Sequence, residues 1–326
     1  MSAQAALLER LFPREQLRQR FLARVRRKRG SVSLPFRFEY RNIYVLPTAF
    51  GLAFGLMLTF MALGGLNFNN NMALLLVFIF GVIAQLTTVL AYRNLVGLRV
   101  ESIRSDPVFC GEAARFRVYL GNIEERPRLT IRAGFREIQD CVDVADNHTE
   151  QVVLEQATGI RGWLPMAPFR LETRYPLGLF KAWTWFFPEH RCLVYPAPAK
   201  NPPPLPRQGS GLGGQARKGE GEQVHGLRQY RTGDPLRRVA WRTSARHDQL
   251  YTREMESPRD DACEINWENL PGVSVEARIS LLTAWVLMAD HHQVEYSLVL
   301  PGTHIPAGLG NEHRNRCLEA LALFGK

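Results

Sequence analysis

Charge vanishes from the chain between Arg41 and Arg93, where 51 consecutive positions carry no Lys, Arg, Asp or Glu. The apolar positions in that gap form two runs, Leu46 to Leu66 and Met72 to Tyr92, of 21 residues each. At a helical rise of ~1.5 Å per residue, each run spans roughly 31 Å, about the hydrocarbon thickness of a bilayer. Asn67-Phe68-Asn69-Asn70-Asn71 between them is too polar for lipid and long enough only for a tight turn. The pattern predicts a transmembrane helical hairpin over 42–93, with helices at about 46–66 and 72–92. Two adjacent uncharged runs of spanning length are rare in soluble cores, which sets a buried hairpin aside. Gly51 and Gly55 make a small-xxx-small face through which the two helices are expected to approach closely. The apolar region starts too late, and lacks the small-residue cleavage pattern, for a removable leader.

Beyond the hairpin the period changes. Ala114, Phe116, Val118 and Leu120 alternate with Arg115, Arg117 and Tyr119, the period of a half-buried strand. Leu98 to Ile103, Leu129 to Ala133, Gln151 to Leu154, Phe169 to Thr173 and Arg191 to Tyr195 are further short strand candidates. Short strands punctuated by Gly, Pro and Asp predict an antiparallel β-sandwich over 94–196. Residues 197–222 read as a linker, opened by Pro202-Pro203-Pro204 and Pro206 and closed by a glycine-rich stretch. Residues 223–326 then predict a small α/β unit. Its elements are a strand from Ala262 to Trp267, a helix capped by Ser274 and running to about Asp290, a strand from Val294 to Leu300, and a last helix capped by Asn311. The fold class expected is thus a membrane-anchored α+β chain: a two-helix hairpin, a sandwich and a small α/β unit.

Charge orients this arrangement. The 326 residues carry a formal +10. Residues 1–41 hold 11 Arg and Lys against three Glu, whereas the rest of the chain holds 30 basic and 28 acidic residues. The excess is therefore juxtamembrane. It predicts contact between the N-terminal segment and anionic lipid headgroups, and it removes the main argument for nucleic acid. Arg93, Arg99 and Arg104 follow the second helix and the turn has no charge, so the positive-inside rule puts both termini in the cytoplasm. The N-terminal segment reads either as an amphipathic helix on the membrane surface or as a solvated basic tail. Cys110, Cys141, Cys192, Cys263 and Cys317 show no metal-ligand or redox spacing. In a reducing compartment they read as small apolar residues.

Motifs for familiar chemistry are missing or out of context. Gly209, Gly211 and Gly214 have dinucleotide-fingerprint spacing, but a proline cluster precedes them and no helix pattern follows. The sequence holds no Walker A, HExxH or GxSxG motif. No cofactor or metal is expected. The densest polar segment runs from Gly226 to Glu254, where seven arginines lie among Tyr230, Trp241 and Tyr251. It reads as a structural ion-pair network, as a docking surface rich in the residue types of binding hot spots, or, third, as a nucleic-acid contact.

Here the chain resembles the domain-of-unknown-function-58 family of bacterial membrane proteins. The resemblance rests on Gly233-Asp234-x-x-Arg237-x-x-x-Trp241-x-x-x-Ala245-Arg246, preceded by Gly226-Leu227-Arg228-x-Tyr230. Arg161-Gly162 and Tyr175-Pro176-Leu177-Gly178-Leu179-Phe180 add to it. It implies a MoxR-type AAA ATPase as partner, and often a membrane protein with a transglutaminase-like domain. Longer relatives carry a von Willebrand factor A-like domain that binds a divalent metal through Asp-x-Ser-x-Ser. The corresponding strand end here reads Glu264-Ile265-Asn266-Trp267-Glu268. A shortened unit without that metal site is therefore expected. The function expected is a non-enzymatic adaptor or scaffold at the bacterial inner membrane, with Tyr230, Asp234, Arg237, Trp241 and Arg246 as its protein-binding surface. The alternative is a cell-envelope enzyme or an accessory subunit of one.

Overall fold

The computed structural model describes residues 34–206, 223–230, 240, 251–256, 263–270 and 272–325. The chain divides into two compact units, Met1–Val194 and Tyr195–Lys326.

The first unit opens with two short strands, β1 (Phe36–Arg37) and β2 (Tyr44–Pro47). The long helices α1 (Ala49–Asn67) and α2 (Asn71–Leu95) follow. Both are long and apolar enough to cross a membrane, and only 6 % of the apolar stretch of each is buried within the protein. Leu52, Leu56, Phe60 and Leu63 of α1 and Leu75, Phe78, Val82 and Leu86 of α2 are all exposed. The three threonines on these helices are satisfied within them: Thr59, Thr87 and Thr88 donate to the carbonyls of Gly55, Ile83 and Ala84, four residues back.

The helix boundaries differ from those the apolar runs predict. Leu46 and Pro47 belong to β2, and α1 starts two residues later. Pro47 brings no N–H to a ladder or a helix. The next residue, Thr48, takes the N-cap and accepts from the Gly51 N–H at 3.0 Å. Asn70 caps α2 in the same way, through the Ala73 N–H at 3.1 Å. α2 continues past Tyr92 and buries Ala91, Asn94 and Leu95. The glycine face is also used differently. A Cβ at Gly51 would overlap the backbone carbonyl of Leu179, and one at Gly55 would meet nothing within 4 Å. The glycine in close interhelical contact is Gly65, against Leu74 and Ala73.

Ten further strands complete the unit: β3 (Arg99–Ser105), β4 (Val108–Phe109), β5 (Ala113–Gly121), β6 (Arg128–Gly134), β7 (Asp140–Val144), β8 (Thr149–Ala157), β9 (Gly162–Pro165), β10 (Phe169–Thr173), β11 (Phe180–Phe186) and β12 (Arg191–Tyr195). With β1 and β2 they form sheets in the orders β1-β3-β5-β8, β2-β11-β10-β6-β7 and β4-β12-β9, the first two antiparallel throughout and the third antiparallel between β12 and β9. The alternation read in β5 holds, with Ala114, Phe116, Val118 and Leu120 buried. Their side chains share one core with Ile131, Ala133, Leu171 and Ala182 of the five-stranded sheet and with Ala91 and Leu95 of α2. The helical hairpin thus ends inside the hydrophobic core of the β unit.

In the second unit, β13 (Gln223–Gln229) pairs antiparallel with β14 (Tyr251–Glu256). Next come β15 (Cys263–Asn266), α3 (Val275–His291), β16 (Tyr296–Leu300), β17 (Thr303–Gly308) and α4 (Asn311–Leu323). β15 and β16 are parallel, joined across α3, and β17 is antiparallel to β16. Ser274 caps α3 as expected, accepting from the Ala277 N–H at 3.4 Å. Asn311 is not a cap but the first residue of α4. Gly310 takes the N-cap at φ +96°, without a side-chain bond. The proline run is not a loose tether. Ala199 N–H donates to Ser280 O at 3.0 Å and Trp285 Nε1 to Pro203 O at 2.9 Å. These bonds tie the run to α3.

Candidate functional site

The arginine- and tryptophan-rich segment lies between β13 and β14. The ladder runs from Gln223 opposite Glu256 to Gln229 opposite Tyr251, with an irregularity between Val224 and Gly226. Ala240 is buried, and its N–H donates to Tyr251 O at 2.8 Å. Three points of the chain therefore converge at Tyr251: the end of β13, the middle of the motif and the start of β14. Of the predicted surface residues, Tyr230 is half-buried just past β13. Asp234, Arg237, Trp241 and Arg246 lie outside the described residues.

At the end of β15, Asn266 Nδ2 donates to Glu264 Oε1 at 3.0 Å, and its Oδ1 accepts from the Glu268 N–H at 3.0 Å. Trp267 packs on Phe324 at 4.6 Å between ring centroids and lies under the Arg278 guanidinium at 4.6 Å. The polar groups at this strand end thus serve the local turn, and its aromatic ring ties together the two helices of the unit. Among the described residues, no group of three His, Cys, Asp or Glu is placed to hold a metal ion.

The other functionally suggestive geometry is where α2 enters the β unit. Asn94 is buried, and its Nδ2 donates to Leu129 O at 2.7 Å and to Thr173 Oγ1 at 2.8 Å. Its Oδ1 accepts from the Leu129 N–H at 3.1 Å. Arg128 is fully buried; its Nη1 donates to Asn94 O at 2.9 Å and its Nε to Asn122 Oδ1 at 2.8 Å. Burial lowers the Arg128 pKa to about 10, against the opposing pull of the Glu124 carboxylate at 3.3 Å. Glu124 also pairs with Arg126 at 2.9 Å, and Arg126 Nη2 donates to Arg93 O at 2.7 Å. A buried charge without such partners costs several kcal/mol, so these bonds fix the helix end against β6. Sequence reading took Arg93 only as a topological charge and passed over Asn94 and Arg128. The available signal was an Asn at the end of an apolar helix, where it had to find partners.

The start of α1 is fastened as firmly. Thr48 N–H donates to Leu179 O at 2.9 Å, and its Oγ1 donates to Gly178 O at 2.7 Å. Gly178 turns the β10–β11 tip at φ +72°, a conformation that favours glycine. The Tyr175 to Phe180 segment, singled out for its resemblance, is therefore the turn that grips the first helix. Arg161, also singled out, is buried at the entry to β9 beside Gly162 at φ +100°.

These observations define a mixed α+β protein: mainly antiparallel sheets with one parallel strand pair, and, among the described residues, four α-helices, two of them long and apolar. Residues 226–271 match the model of a family described as protein of unknown function DUF58. The match spans the arginine-rich motif, β14, β15 and the turn at Trp267–Asn269, and it supports the resemblance read from the motif. No curated protein and no solved structure matches the chain.

Proposed function

We propose that the chain is a non-enzymatic adaptor anchored in the bacterial inner membrane by α1 and α2, with both termini in the cytoplasm. The β unit is a sandwich seated on that membrane. The arginine- and tryptophan-rich motif around Tyr230, Asp234, Arg237, Trp241 and Arg246 is its protein-binding surface. The partner expected from the family resemblance is a MoxR-type AAA ATPase. The unit from β15 to α4 is a shortened von Willebrand factor A-like region, a reading favoured by its helix-crossed parallel strand pair.

One observation carries most of this reading. Two helices of spanning length leave their apolar surface unburied, yet their ends are fixed into a β core by Asn94, Arg128 and Thr48. In water so large an apolar surface would drive aggregation; in lipid it is the lowest-energy state. The fixed ends turn the hairpin from a flexible tether into a rigid mount. Basic flanks on either side support the orientation.

The test is capture of the detergent-extracted full chain, with and without ATP, followed by identification of what accompanies it. An AAA ATPase should be retained by the unaltered chain and lost from the Arg237→Ala, Trp241→Ala double variant, at unchanged unfolding temperature. Equal retention by the folded double variant refutes the surface assignment.

A further inference from the structure

The β10–β11 tip has an unusual apex for a water-facing turn. Leu177 stands between Pro176 and Gly178, is 55 % exposed, and occupies a position where turns ordinarily place polar residues. Its place relative to α1 is fixed by the three Thr48 bonds to Gly178 and Leu179. Gly51 fixes it further, since the missing Cβ is what lets the Leu179 carbonyl approach. Gly51 lies in the first turn of α1, so the tip reaches the level at which that helix begins. Phe50, in the first turn of α1, is an exposed apolar side chain at this same level.

The chemistry changes in order away from that level. In the β2–β11 register, Pro47 pairs with Phe180, Leu46 with Lys181 and Tyr44 with Trp183. The Tyr44 and Trp183 rings lie 5.9 Å apart, and the Lys181 ammonium sits 5.1 Å over the Trp183 ring. At the α2 exit, the Tyr40 and Tyr92 rings form a second pair at 5.8 Å. Arg174, at the foot of the tip, is half-exposed. Tyr44 is three residues from Pro47, about 10 Å along a strand. The polar layer of a bilayer leaflet is roughly 5–8 Å deep. An apolar apex, then cations, then aromatic rings, spread over about 10 Å and so reaching through the polar layer to its outer edge, is the composition of a membrane interface.

We infer that the tip from Tyr175 to Leu179 is a third membrane-contacting element. Leu177 enters the boundary between headgroups and acyl chains in the leaflet where α1 begins, and Lys181 and Arg174 face the lipid phosphates. This rests on the reading of α1 and α2 as membrane-spanning. Two adjacent helices fix a protein along one line; a third contact beside that line suppresses rocking of the β unit about it.

The test uses the full chain in liposomes of phosphatidylcholine and phosphatidylglycerol. Single cysteines replace Leu177, Phe50, Leu63 or Ile160 in a Cys110→Ser, Cys141→Ser background, and each carries an environment-sensitive fluorophore. Leu63 lies in the middle of α1. Ile160 is an exposed residue beyond Ala157, at the end of its sheet away from Arg99 and the α2 exit. Unfolding temperatures select the variants that fold; Leu177→Cys is expected among them because its side chain is exposed. The inference expects the Leu177→Cys label to be blue-shifted, and quenched by shallow nitroxide lipids as strongly as the Phe50→Cys label, while the Ile160→Cys label reports water. A Leu177→Cys label that behaves like the Ile160→Cys label, with the Phe50→Cys and Leu63→Cys labels still quenched, overturns the inference and leaves the spanning helices standing. A blue shift without quenching by nitroxide lipids means protein, a second copy or a partner, covers the tip; this overturns it too. Unquenched Phe50→Cys and Leu63→Cys labels remove the membrane reading itself.

Discussion

Replacing Asn94 with alanine isolates the bond between helix and sheet. The side chain makes three hydrogen bonds, two to the Leu129 backbone and one to Thr173, at 2.7–3.1 Å in a site that is 7 % exposed. A buried hydrogen bond is worth about 0.5–1.5 kcal/mol net, and stranding a buried backbone group costs about 1–3 kcal/mol. After Asn94→Ala, the Leu129 N–H loses this partner, while its carbonyl keeps a weaker one in Thr173 Oγ1 at 3.4 Å. The expected loss is about 3 kcal/mol, which for a unit of this size lowers the unfolding temperature by roughly 6–12 °C. Unfolding from lipid is commonly irreversible, so the assay is a thermal scan at one fixed rate in nanodiscs. Thr59→Ala is the control: its hydroxyl bonds only within its own helix and its site is exposed, so its effect should stay within about 0.5 kcal/mol. A shift for Asn94→Ala no larger than for Thr59→Ala would refute the claim that the hairpin is fixed to the β unit through this residue.

Gly51→Ala should destabilise the folded chain by about 1–3 kcal/mol, because the new methyl meets backbone rather than a movable side chain. Gly55→Ala should be neutral or gain up to about 1 kcal/mol of helix propensity; the two unfolding temperatures decide the matter. His190 donates to or accepts from Ser105 Oγ at 2.8 Å, and burial lowers its pKa from 6.5. Between that lowered value and 6.5 the unfolded state binds more protons, so stability falls as pH drops through this window and His190→Gln should flatten that fall. Burial raises the Cys192 and Cys263 thiols and pushes Cys317 up to about 12, whereas Cys141 is exposed. A maleimide at mildly alkaline pH should modify Cys141 first and reach those three only on unfolding; early Cys317 modification, read by mass spectrometry, would contradict the burial. A Mg²⁺ titration should find no ion at Asn266 or Glu268, because the Asn266 amide oxygen that would be the second ligand already accepts from the Glu268 N–H; a saturable signal abolished by Asn266→Ala would refute this.

The strongest periodicities in the sequence matched the structure closely. The two long apolar helices, the alternation of β5 and the cap at Ser274 follow from local preferences that neighbouring elements reinforce. Phe169–Thr173 and Arg191–Tyr195 form strands over the predicted residues. What the pattern missed needs partners far along the chain. β11 reads Phe-Lys-Ala-Trp-Thr-Trp-Phe, and its alternation of small and large residues is meaningful only beside β2 and β10. β2 hides in the uncharged gap because Tyr44 to Pro47 carries no charge and its Leu46 and Pro47 continue into the apolar run. Gly51 fits a helix–helix contact on spacing alone, and only the fold shows that a β-turn carbonyl takes the space. The arginine-rich motif is the reverse case: its composition and resemblance were plain in the sequence, while its described geometry is limited to Tyr230, Ala240 and the flanking strands.

If α1 and α2 form a membrane hairpin, the rest of the chain stays on one side of the bilayer. Topology reporters inserted in the turn at Asn69 and fused after Lys326 test it together. A membrane hairpin gives far-side activity from the turn reporter and cytoplasmic activity from the C-terminal one, with the protein resistant to carbonate extraction. Cytoplasmic activity from both reporters, or far-side activity after Lys326, would contradict it.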